Sequence, residues 1–157
     1  MVKSHELGHE DNKIKDVITF DEGLPGFEHL KSFVLLNPQI DLPFKYLQST
    51  KEPSIALVVV DPYLYIEEYS FNIDEDVIGA LEIKEPCDVL VLSVMVIPED
   101  IRKMSINLAA PIIINTKNLK GKQLILQDEK YEIRFPVYEA YKNLICREAK
   151  ANACSDA

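Results

Sequence analysis

The chain has 157 residues, 47% of them hydrophobic and 27% charged, which suits one globular domain with a real core and excludes a chain disordered as a whole. Twenty-six acidic against 17 basic residues leave a net charge of −9, so most of the surface repels a phosphate backbone and direct nucleic-acid binding is not expected. A basic protein partner would instead be attracted, in a salt-dependent way.

Residues 1–13 are polar, lack sustained periodicity and read as a flexible N-terminal tail. "IKDVITF" (14–20) alternates as a strand does, and "DEGLPG" (21–26) is dense in turn formers. "FEHLKS" (27–32) is expected to form one or two helical turns. Strands are predicted at 32–37, 44–49, 54–60 and 65–71, separated by Pro38, Pro43, Pro53 and Pro62. A helix over 73–83 takes Asp74 as N-cap, with Glu75 and Asp76 at the positive end of its dipole and Val77, Ile78 and Leu81 as its apolar stripe.

"CDVLVLSVMVI" (87–97) has the length and β-branched content of a buried central strand. Residues 98–105 read as a proline-opened loop or short helix, 111–116 as a strand and 118–123 as a turn. Further strands are expected at 123–128 and 130–135. A candidate C-terminal helix over 137–151 would dock Tyr138, Tyr141, Leu144 and Ile145 on the body, with the end of the chain frayed. Many short strands with Pro/Gly turns and little helix between them predict a mostly β protein, a small single-domain β-barrel or β-roll with one or two short helices.

The longest nearly unbroken apolar run, 89–97, is about half a membrane span. No signal peptide opens the chain, so a cytoplasmic location without membrane contact is expected. Cys87, Cys146 and Cys154 are scattered and form no C-x-x-C pair, which predicts neither a disulfide framework nor a cysteine zinc site.

One stretch suggests an enzyme. His5-Glu6-Leu7-Gly8-His9 matches H-E-x-x-H, the zinc-protease signature. That chemistry needs a rigid helix with a packed apolar face and a third ligand. Here Leu7 is the one large apolar residue nearby, Gly8 weakens any helix, and the remaining histidine, His29, lies in another context. A zinc-dependent hydrolase using His5, Glu6 and His9 is therefore the alternative reading, and no metal, cofactor or catalytic residue is expected. "GLPG" lacks the G-K-[ST] ending of a phosphate loop, and no G-x-S-x-G elbow occurs. Cys87 has no evident base and reads as a buried structural thiol. Glu67-Glu68 and Asp74-Glu75-Asp76 read as a solvated strand edge and a helix N-terminus. "INLAAPIIIN" (106–115) brackets apolar residues between Asn107 and Asn115, a pattern that fits tight packing at a barrel corner as well as a docking surface.

Taken together, "ITFDEGLPGFEHLKSFVLL" (18–36), "PFKYLQS" (43–49), "VVDPYL" (59–64), "NLAAPIIIN" (107–115) and "GKQLILQDEKYEIRFPV" (121–137) resemble the flagellar assembly factor FliW family. The similarity spans roughly 14–137 as a FliW-like β domain and leaves 1–13 and a C-terminal extension, 138–157, outside it. The resemblance implies a cytoplasmic, non-enzymatic protein that binds flagellin before export and, when flagellin-free, antagonises the translational regulator CsrA. The CsrA-facing charge is expected among Glu67, Glu68, Asp74, Glu75 and Asp76. A groove beside Phe44, Leu47 and Gln48 is the expected seat for a helix of flagellin. A monomer is expected.

Overall fold

The computed structural model describes residues 16–38 and 42–156, with side chains as far as 147. In chain order the elements are β1 (Val17–Thr19), β2 (Ser32–Leu36), β3 (Lys45–Ser49), β4 (Ala56–Val60), α1 (Glu75–Leu81), β5 (Val89–Val96), β6 (Ser105–Ile106), β7 (Ile112–Asn115), β8 (Lys120–Gln123), β9 (Phe135–Pro136) and α2 (Tyr138–Asp156). Seven strands close into a barrel in the order β4-β3-β2-β1-β8-β7-β5, with β5 pairing back onto β4. The remaining pair, β6 and β9, extends from the far end of β5 through Met95↔Ile106 and Ser105↔Pro136. Every ladder is antiparallel except β1–β8, which is parallel and rests on the single pair Thr19↔Lys120.

The mostly β barrel with helices that the sequence predicts is what forms. Strand alternation sends Phe33, Leu47, Val59, Leu92, Ile112 and Ile114 into one cluster inside the ring, where Phe20 packs edge-on against Phe33 at 5.5 Å. Leu24 and Leu30 of the 21–31 loop join that cluster. Ile113 points the other way and meets Val77 and Leu81 of α1. The strand "IIIN" is therefore apolar without alternation because both of its faces are buried. A third cluster covers the outer face of β4, β5 and β6, where Val60, Met95 and Ile106 lie under Tyr65, Tyr69, Val137 and the first turns of α2. Tyr138, Tyr141 and Leu144 dock there. The helix itself runs to Asp156, past the expected end at 151.

Several local expectations differ from the structure. Residues 27–31 form turns and loop leading into β2 and not a helix, because the chain must reverse at Gly23 (φ 69) and Gly26 (φ 89). Tyr65–Phe71 is no strand: Tyr131 Oη donates to the carbonyl of Ser70 and accepts from its N–H, so side-chain bonds replace a ladder there. The expected turn at 118–123 contains strand β8, and the reversal comes earlier, where Asn115 Oδ1 accepts from Lys117 N and Leu119 takes φ 59. In the predicted strand 130–135 only Phe135 enters a ladder.

The strand expected at 123–128 does not form, since β8 ends at Gln123 and the chain beyond it is bonded on one side only. Leu124 N and Leu126 N donate to the carbonyls of Pro111 and Ala109 at 2.8 Å. Pro111 has no N–H to return the first bond, and the Ala109 N–H is drawn to Asn107 Oδ1 at 3.0 Å.

Both asparagines that bracket 107–115 have structural partners. Asn107 Oδ1 accepts from Ala109 N and Ala110 N in an Asx turn. Asn115, 2% exposed, donates through Nδ2 to the carbonyls of Leu81 and Glu82, and Asn118 Nδ2 donates to Leu81 as well. These bonds satisfy carbonyls that the end of α1 leaves open. Asn115→Ala should therefore cost about 1–3 kcal/mol by removing both of its bonds to the end of α1, although Leu81 keeps the one from Asn118. Urea unfolding checks this, and a loss within error would show that water replaces the amide.

Candidate functional site

Glu67, Glu68, Asp74, Glu75 and Asp76 are all exposed. Buried Tyr65 and Tyr69 anchor the segment that carries the glutamates, each through its hydroxyl: Tyr65 donates to the carbonyl of Pro43 at 2.9 Å and Tyr69 to that of Leu108 at 2.6 Å. Burial pushes both phenols well above the usual tyrosine range, so they stay neutral donors. Asp74 is the N-cap of α1, as expected, but its side chain makes no capping bond; Glu75 and Asp76 fill the first turn. Among the described residues none of the five carboxylates pairs with a cation. The two glutamates sit on a segment pinned by buried tyrosines, and the other three carboxylates open a helix packed on Ile113 and Leu124.

The second expected site is only partly at the surface. A groove of about 800 Å³ is walled by Leu42, Phe44, Leu64 and Leu144, with Lys45 and Arg147 at its edge. Leu47 is fully buried inside the barrel and Gln48 is 7% exposed, so neither lines this groove. Leu47 pairs with Leu35 and Leu57 across central strands, which turns its side chain toward the core. Of the three residues expected at the groove, Phe44 is the one that reaches it.

A smaller groove of about 480 Å³ lies along residues 122–127, opposite the turn that holds Glu22 and Glu28 and next to Asp74. Lys122 Nζ reaches Glu22 at 2.8 Å, and that contact lowers the Glu22 pKa. Glu28 is also held low, by backbone N–H groups including that of Gly26. Across the barrel mouth Lys120 bonds Glu82, which lowers the carboxylate and raises the ammonium.

Cys87 is exposed on the 3-10 turn Pro86–Asp88, not buried as expected, because the turn lifts it clear before β5 begins. With Glu85 and Asp88 it is the one group of metal-ligating side chains close enough to share an ion among the described residues. His5, Glu6 and His9 lie outside the described residues.

The fold and its surface define a small closed β-barrel with helices packed on its outside, open grooves on its surface and an acidic run that no cation pairs among the described residues. The FliW protein family model matches residues 1–137, which takes in the N-terminal residues left outside the sequence resemblance. The flagellar assembly factor FliW of Thermoanaerobacter pseudethanolicus is 48% identical over 129 residues, covering 82% of this chain and 86% of that protein. That of Caldicellulosiruptor bescii is 40% identical over 139 residues, covering 88% and 91%. A crystal structure of the flagellar assembly factor FliW superposes with a TM-score of 0.73 at 32% identity, covering 78% of this chain and 86% of that one. The chain belongs to the FliW family, and its role lies in flagellar assembly. Among the described residues no helix is long and apolar enough to cross a membrane.

Proposed function

We propose that the chain acts by binding, without catalysis, as a cytoplasmic partner-exchange switch. It holds flagellin before export; when flagellin is scarce, the free protein binds CsrA, an RNA-binding repressor of flagellin synthesis, and releases translation. Accumulating flagellin reoccupies it and leaves CsrA free to repress. Membership of the FliW family carries this reading, and the exposed acidic run Glu67–Asp76 supports it. A protein that grips RNA presents positive charge, which an exposed carboxylate run attracts and orients. The run faces CsrA. Flagellin, long and helical, lays an amphipathic helix into the groove of Phe44, Leu42 and Leu64. The protein works as a monomer.

Co-purification of the chain with flagellin and with CsrA from one cytoplasm tests the switch, and recovery of neither overturns it. The joint substitution Glu67→Lys and Glu68→Lys should weaken CsrA binding about tenfold and flatten its salt dependence. Both side chains are exposed, so the fold should survive. Unchanged CsrA affinity would remove the acidic run from the interface.

A further inference from the structure

The barrel is closed at β1–β8 by one residue pair, and past Thr19 the chain turns away, so among the described residues no strand lies beside the end of β8 and its continuation on that side. Leu124 and Leu126 direct their N–H groups to the 109–111 segment. Backbone alternation then turns the N–H and C=O groups of Ile125 and Gln127 to the open side. Among the described residues nothing bonds either N–H. The Ile125 side chain is 63% exposed. This bare edge is one wall of the 480 Å³ groove.

Bare strand edges pair readily with another chain, and soluble proteins normally blunt them. The opposite wall supplies a chemical preference. Glu22 and Glu28 line it and Asp74 stands beside the groove. Among the lining residues Lys122 is the one cation and Glu22 already holds it, while Lys31 acts on both glutamates from nearby. We propose that this seam is a docking site for an extended, basic segment of a partner protein, which adds along 123–127 as an extra strand. Its backbone bonds to Ile125 and Gln127, its apolar side chains cover Ile125, and its lysines or arginines meet Glu28 and Asp74. The site shares Asp74 with the acidic run but is separate from the Phe44 groove, and it holds a strand where that groove holds a helix.

The probe is a synthetic peptide of alternating valine and lysine, with a valine–glutamate peptide as comparator, titrated against the full chain. The valine–lysine peptide should bind, and hydrogen exchange at the Ile125 and Gln127 amides should slow about tenfold or more on saturation. Ile125→Pro removes an unbonded N–H at an edge, where proline is tolerated, and should weaken binding about tenfold. Asp74→Lys removes no capping bond and should also weaken it, which keeps the test alive if the proline variant fails to fold. Equal binding of the glutamate peptide, or no slowing at the two amides, would overturn the proposal. So would slowing that appears without peptide and tracks a concentration-dependent doubling of mass, which would assign the edge to a second copy.

Discussion

Gly23→Ala is expected to lower the unfolding free energy by about 3 kcal/mol, from two penalties at one position. Gly23 sits at φ 69, where an L side chain is strained. A Cβ there would also lie 2.6 Å from both Cα and O of Glu28. Backbone cannot swing aside as a side-chain tip can. The 21–31 loop would have to shift, and with it Leu24 and Leu30, which are 1% and 2% exposed in the barrel core. Gly26→Ala separates the two effects, because its φ is 89 but nothing lies within 4 Å of the added carbon. Denaturant melts of the two variants should differ by the clash alone. Equal losses would mean that the loop relaxes around the methyl.

Gly121→Ala should cost about 2 kcal/mol for a different reason. Its added Cβ would stand 2.6 Å from Cε1 of Phe20. That ring is fully buried and pinned edge-on by Phe33, so it cannot retreat. A smaller residue at 20 should relieve the collision. Phe20→Leu with Gly121→Ala is therefore expected to be less damaging than the sum of the two single changes, by about 1 kcal/mol. Strict additivity in urea melts would show that the glycine is not there to make room for the ring.

These glycines also mark where the sequence was legible and where it was not. Gly23 lies in a stretch of turn formers and was read as a turn. Gly121, between Lys120 and Lys122, has the same local signature, yet it belongs to a strand whose polar flanks hide a tertiary demand from Phe20. The central strands were legible because their runs are apolar and β-branched. The segment 65–71 misled because Tyr65 and Tyr69 are buried at the spacing of packed rings, with no ladder behind them. At the surface, exposed carboxylates were found where composition put them. Leu47 and Gln48 were misplaced because a strand hides alternate residues, and which face is inward depends on barrel closure. The open edge at 125–127 could not be read at all, since it exists only because β1 ends after Thr19.

That early end also orders events in time. Strands β2, β3 and β4 pair as neighbours in sequence, so they can zip together as local hairpins. The junction with β8 brings together groups such as Glu22 and Lys122, 100 residues apart. Loop entropy must be overcome before so little pairing rewards it. The ring is therefore expected to be the last thing the chain completes and its seam the first place it comes undone, with the meander beside it still folded.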